Sequence, residues 1–256
     1  MKQTTLLSVE HLYCGYGKTP VIRDLSFQVK AVERMCILGP NGCGKTTLLR
    51  ALAGVLPWQG RVEAGGEDVR TLPPKKRAKK IALMSQFSQT SFDYTVYEAV
   101  MMGRYAYQTG SLFSAETEAD HAAVEEALRL ADAWDLREQM VTKLSGGQLQ
   151  RVFLARVFAQ SPQIILLDEP ANHLDLPSQA ELIESLRNWT ADGERCVLGV
   201  FHDISLALAF ADTALLLDQG SEFACGPVEE MDLSLIDGLY GMDVRSYMKF
   251  LLDRWG

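Results

Sequence analysis

Apolar and polar residues alternate in two stretches near the N-terminus, LLSVEHL and LSFQVK. A period of two marks a half-buried strand, and the turn-rich CGYGKTP between them predicts an antiparallel sheet at this end of the chain. An unbroken apolar run, MCIL at 35–38, then leads into a glycine-rich stretch and the helix-like TTLLRALAG, and IALM at 81–84 reads as a buried strand. From Phe87 to Lys143 the period becomes helical. TVYEAVMMGRY opens with Thr95 and Glu98 at capping-box spacing, and AAVEEALRLADAW puts Val124, Leu128 and Ala131 on one face. Beyond it, IILLD, SQAELIESLRNW, CVLGVF and SLALAFA return to strand–helix alternation, which implies a parallel sheet with helices packed on it. No internal repeat, low-complexity segment or long linker interrupts the pattern. It predicts one domain over 1–256, with a core at 1–86 and 144–256 and a helical subdomain inserted at 87–143.

Composition narrows the partners. With 256 residues, 47% hydrophobic and 23% charged, the chain has the makings of an ordinary globular core. No apolar run approaches the roughly 18 residues that span a bilayer, and MKQTTLLSVEHL lacks the apolar stretch of a secretory leader, so a cytosolic location is expected. The five cysteines (Cys14, Cys36, Cys43, Cys196, Cys225) are odd in number and never spaced C-x-x-C, which supports neither a disulfide framework nor a zinc site. A net charge of -8 argues against a nucleic-acid partner, whose phosphates need a basic face. The basic run KKRAKK, after Pro73-Pro74, reads as a solvated helix face.

The stretch GPNGCGKTT at 39–47 is where chemistry enters. Gly39, Gly44, Lys45 and Thr46 satisfy G-x-x-x-x-G-K-[ST] between a strand and a helix. Glycines let the backbone curl until several N–H groups face one anion, and the helix adds its partial positive end. A nucleoside triphosphate fits: Pro40, Asn41, Gly42, Cys43 and Thr47 complete the cradle, Lys45 reaches the outer phosphates, and the Thr46 hydroxyl ligates a bridging Mg²⁺. The same N–H groups and Lys45 favour a thiolate at Cys43, which predicts the most reactive of the five thiols.

Two further stretches add to it. QIILLDEP ends a buried strand in Asp168 and Glu169, and ligands of open parallel sheets bind beyond the carboxyl ends of strands. Neighbouring side chains on a strand point apart, so Asp168 is assigned to Mg²⁺ and Glu169 to the attacking water. LSGGQLQR is a second glycine-rich helix start, with Ser145 and Gln148 at capping-box spacing around Gly146 and Gly147.

With Gln86 ahead of the helical insert and His202 after CVLGVF, this order of motifs resembles the ATPase subunit of ATP-binding-cassette (ABC) transporters. The resemblance covers nearly the whole chain. It implies a P-loop NTPase core of α/β class with a mainly parallel sheet, an N-terminal antiparallel β subdomain and an inserted helical subdomain. It implies a homodimer that sandwiches two ATP molecules, with Ser145 and Gly147 of each chain completing the other's site. Tyr16 stacks on adenine by the same resemblance, Gln86 senses Mg²⁺ and water, and His202 contacts the γ-phosphate. Asp175 lies in the loop that touches the partner, with Ala171 where the family often has threonine. TVYEAVMMGRYAY, HDISLALAFADTALLLDQG and ACGP are similar to importers of ferric siderophores, heme and cobalamin. That implies an ATPase peripheral on the inner face of the cell membrane, bound to an integral-membrane permease and served indirectly by a substrate-binding protein. Ferric siderophore import is favoured over cobalamin, heme, zinc or manganese, and over a soluble cassette ATPase of iron–sulfur assembly. His11, His121 and His173 belong to no comparable constellation, and Trp58, Trp134, Trp189 and Trp255 read as packing groups.

Overall fold

The computed structural model describes residues 4–17, 19–85, 93–108, 116–172, 174–232 and 234–254. The alternating N-terminal stretches form β1 (Thr5–Tyr16) and β2 (Thr19–Lys30), antiparallel, with Val9 opposite Phe27 and Leu12 opposite Leu25. The strands run longer than their alternation suggested, taking in most of the turn-rich stretch. β3 (Arg34–Leu38) carries the chain to the glycine loop, and α1 (Lys45–Leu52) leaves it. β4 (Trp58–Ala64) and β5 (Glu67–Asp68) then return to the first sheet, giving the order β2-β1-β4-β5. α2 (Pro74–Lys80) is the basic helix, with no buried residue, and β6 (Ile81–Met84) follows it.

The insert holds α3 (Val96–Met101) and α4 (Glu118–Leu130), each opened by a capping box, at Thr95 with Glu98 and at Thr117 with Asp120. Each box satisfies two N–H groups that the first turn leaves without helical partners. α5 (Gly146–Ala159) runs back under them with Val152, Phe153, Leu154, Ala155, Val157 and Phe158 all buried. The alternating segment supplies β7 (Ile164–Asp168), α6 (Leu176–Thr190), β8 (Cys196–Val200), α7 (Ile204–Phe210), β9 (Thr213–Asp218) and β10 (Ser221–Pro227). α8 (Ser234–Tyr240) and α9 (Val244–Leu252) close the chain.

The second sheet has the order β10-β9-β3-β8-β7-β6, parallel throughout except for the edge pair β10–β9. The predicted α/β class, with its antiparallel N-terminal sheet and helical insert, is what the chain adopts. Each central strand is apolar on both faces, as a sheet covered on both sides requires. Met35 and Ile37 enter the core shared with α1 and the first sheet, while Cys36 and Leu38 enter the core shared with α5 and α6. Ile164 and Leu166 alternate with Ile165 and Leu167 in the same way. These two cores fix β3, β7 and β8 side by side, so whatever follows each strand meets at one edge.

Candidate active site

Three strand ends build the site: β3 runs into the glycine loop, β7 ends on Asp168, and β8 leads through Phe201 to His202. Gly44 caps α1 with φ +112, and a Cβ there would stand 2.7 Å from Ile22 Cδ1. Glycine is needed at this position both for the backbone turn and for the close approach. α1 has no side-chain cap and no acidic residue in its first turn, which leaves its N–H groups to an incoming anion.

Lys45 is buried, and its ammonium donates to Gly39 O at 2.7 Å and Pro40 O at 3.0 Å. An ammonium has three N–H donors, so the two loop contacts aim the side chain across the cradle and leave one for a phosphate oxygen. Thr46 Oγ1 donates to Asp168 Oδ1 at 2.9 Å. Burial pushes the Asp168 carboxyl above its ordinary value, Thr46 opposes the shift, and neighbouring Glu169 adds to it. A carboxylate and a hydroxyl in contact at a buried strand end, one of them uneasy with its charge, fit a hard divalent cation that arrives with phosphates. No group of three or more His, Cys, Asp or Glu side chains among the described residues forms a self-sufficient metal site.

Glu169 leaves the strand in a left-handed turn, φ +57. Such backbone is rare for glutamate and is held only where the surroundings dictate it. Here Glu169 N–H bonds Val200 O at 3.1 Å, Asn172 Nδ2 donates to Glu169 Oε2 at 2.5 Å, and His202 Nε2 meets Glu169 Oε1 at 2.5 Å. Glu169 thus has a polar partner on each carboxylate oxygen, Asn172 on one and His202 on the other. Asn172 was missed. It stands three residues after Glu169, the spacing that lets one side chain reach back over a turn.

The remaining predicted residues fall elsewhere. Tyr16 ends β1 more than half exposed, its hydroxyl accepting from Arg50 Nη1 at 3.0 Å, so its ring lies beside α1. Ser145, Gly146, Gly147 and Gln148 do form a capped helix start: Ser145 Oγ accepts Gln148 N–H at 3.3 Å and Gln148 Oε1 accepts Ser145 N–H at 3.0 Å. Gly147 is next to Ser178 and Leu174, and no described hydrogen bond joins this terminus to the glycine loop. Asp175 caps α6 through Ser178 N–H at 3.1 Å. Gln86 and His173 lie outside the described residues.

Cys43 overturns its expectation. The thiol is buried, and desolvation raises its pKa against the lowering pull of Lys45 and the loop N–H groups. Its sulfur packs behind the loop, 2.8 Å from where a Cβ on Gly39 would stand. The loop's positive field acts as foreseen, but burial is the larger effect. Cys225 on edge strand β10 is the exposed cysteine.

The ABC transporter family profile matches residues 22–172. The ferric enterobactin transport ATP-binding protein FepC of Escherichia coli (strain K12) is 37% identical over 91% of this chain and 86% of its own length. The hemin import ATP-binding protein HmuV of Pseudomonas putida is 39% identical over 93% of this chain and 94% of its own. Among solved structures, an inward-facing ABC transporter of metal-chelate type superposes with a TM-score of 0.79 at 28% identity, over 93% of this chain and 89% of that one. By profile, by sequence over nine-tenths of its length and by fold, the chain belongs to the ABC transporter family.

Proposed function

We propose that this chain is the ATP-hydrolysing subunit of an importer for iron chelates, acting as a pair with a membrane permease and Mg²⁺. The observation that carries it is the meeting of Lys45, Thr46, Asp168, Glu169 and His202 at the ends of three adjacent strands. Lys45 and the α1 terminus bind the outer phosphates, and Thr46 with Asp168 would hold Mg²⁺, which would supply positive charge against the phosphates. Glu169, kept in place by Asn172 and His202, orients water toward the γ-phosphate and takes its proton. Tyr16 supplies a flat face for adenine, and Ser145 to Gln148 of a second chain close over the nucleotide.

A groove of about 640 Å³ between α2 and the 101–108 segment suits the permease. Met101, Met102 and Tyr105 line it with apolar surface, and Glu98 and Arg156 add charge to the lining. No described helix is long and apolar enough to cross a membrane; on this reading the permease supplies the spanning part and the ATPase sits on its cytoplasmic side. The chelate is read from relatives: FepC points to a siderophore and HmuV to heme.

Glu169→Gln is the test of the chemistry. General-base contributions predict a fall in turnover of about a hundredfold to ten-thousandfold with ATP still bound; unchanged turnover contradicts the assignment. For transport, deletion of the gene is expected to stop growth on a ferric chelate as sole iron source. Growth lost on hemin alone moves the substrate to heme, and normal uptake of both moves the ATPase off import.

A further inference from the structure

The basic helix α2 has cations that the function above does not use, and they are laid out on one side. At about 100° per residue, Lys75, Lys79 and Lys76 share one face, Ala78 flanks Lys75, and Lys80 and Arg77 lie beyond Lys76. Lys75, Lys76 and Lys79 are exposed, while Arg77, Ala78 and Lys80 are half-buried. The back of the helix is occupied by the protein itself. Lys80 Nζ pairs with Glu67 Oε1 at 3.0 Å and donates to Ala64 O at 3.1 Å, and Arg77 closes over Gly54, where a Cβ would stand 2.9 Å from Nη1. Among the described residues the ion pair at Lys80 is the only one α2 makes, so the three lysines at the front keep their charge unneutralised.

Two of the three are also held in place. Lys75 Nζ donates to Gln108 O at 2.7 Å and lies 5.2 Å from the centre of the Tyr105 ring, and Lys79 Nζ lies 4.3 Å from the centre of Tyr107. Side chains fixed in advance lose less rotamer freedom when a partner arrives. The whole chain carries a net charge of -8, so a concentrated positive face orients it toward an anionic surface that would otherwise repel it. Lys75 and Ala78 also line the groove assigned to the permease, which sets the lysine face immediately beside that contact. Lysine is depleted from the cores of protein–protein interfaces, and α2 offers no apolar anchor besides Ala78. The surface of an anionic leaflet asks for clustered charge alone.

We propose that α2 is a lipid-docking surface: Lys75, Lys76 and Lys79 meet the anionic headgroups of the inner leaflet and turn the neighbouring groove toward the membrane. The contact adds to the permease contact rather than replacing it, because the groove uses the Lys75 and Ala78 side of the helix and the headgroups use the Lys79 and Lys76 side. The inference rests on the reading that the groove takes a membrane permease.

Co-sedimentation of the full chain with phosphatidylglycerol vesicles, and with phosphatidylcholine vesicles beside them, tests it. Binding is expected to the first at low salt, to weaken as salt rises, and to be absent with the second. Each lysine near an anionic surface contributes about fivefold to partitioning, so Lys75→Gln, Lys76→Gln and Lys79→Gln together are expected to lower it by about a hundredfold. Lys76→Gln alone, the mildest change, is expected to lower it by about fivefold, and an unchanged melting temperature shows that it folds. Arg23→Gln, Lys30→Gln and Lys249→Gln make the same change of net charge on β2 and α9, and are expected to leave most of the binding in place. No binding to phosphatidylglycerol at low salt, equal binding to both vesicles, or equal losses in the two triple variants overturns the proposal. The vesicles hold no permease, which separates the two ideas. If binding is absent while deletion of the gene still stops growth on a ferric chelate, the importer reading stands and this inference falls. If binding follows the lysines while uptake ignores the gene, the lipid contact stands and the importer reading falls.

Discussion

The chain has two glycine-rich helix starts, and they are finished differently. α1 begins at Gly44 with no side-chain cap, a lysine inside its first turn and a carboxylate across from Thr46. α5 begins at Ser145 with both halves of a capping box closed by its own residues, Ser145 and Gln148. Both ends offer N–H groups and a positive dipole end, but at α5 the box takes the N–H groups of Ser145 and Gln148 and leaves those of Gly146 and Gly147, whereas α1 has no side-chain cap at all. The second is partly closed by its own box, so an anion there meets the Gly146 and Gly147 N–H groups beside it. The difference separates two tasks. On the proposed function, α1 is the end that binds nucleotide alone, and α5 is the closing surface for a nucleotide held by another copy.

Substitution at the two ends tests the division most strongly. Lys45→Ala is expected to weaken nucleotide binding by the single chain roughly tenfold to a hundredfold, the range for hydrogen bonds to charged groups. Ser145→Arg is expected to leave that binding unchanged and to remove turnover. Equilibrium binding of ADP beside steady-state hydrolysis reads both. Equal losses of ADP affinity in the two variants would break the distinction.

A second effect, smaller on stability but opposite in sign to its effect on activity, sharpens the α1 side. The folded Asp168 carboxyl lies above its unfolded value. The native state then holds its proton in a window where the unfolded chain has released it. What this group contributes to stability is present below the unfolded pKa and is lost as pH rises through the folded one. Asp168→Asn is expected to match the native protein's melting temperature at low pH and exceed it at neutral pH, while Mg²⁺-dependent hydrolysis disappears. Melting curves across pH without nucleotide check it; a variant less stable at every pH would contradict the burial argument.

The regions also differ in how far sequence disclosed them. Lys45, Thr46, Asp168 and the two capping boxes were legible because each rests on local spacing: a loop between strand and helix, an acid at a strand end, a serine three residues before a glutamine. The two-faced core was legible for the same reason, since IILLD and CVLGVF are apolar on both sides of the pleat. Cys43 was misjudged because spacing reports the field around a thiol but not its burial, which depends on a core that includes Leu215 and Leu217, far along the chain. β4 escaped because WQGRVEA joins a sheet begun fifty residues earlier, and α8 because its partner strands lie far back in the chain.

The smallest expected effect follows from that correction. A maleimide is expected to modify exposed Cys225 before Cys43, so brief labelling leaves hydrolysis nearly intact and Cys43→Ser changes its course little. Peptide mapping of the first site modified decides it; Cys43 labelled first would restore the thiolate.

The central claim is that the α5 start of one chain closes on the nucleotide of another. It is tested most directly by a disulfide between two chains in a Glu169→Gln, Cys225→Ser background, one carrying Asn41→Cys in the exposed part of the loop and the other Ser145→Cys. On mixing under mild oxidation, a covalent dimer that forms with ATP and Mg²⁺ and not without them is the predicted result. No dimer under any nucleotide condition, with a bond forming instead within a single chain that carries both cysteines, would contradict the account.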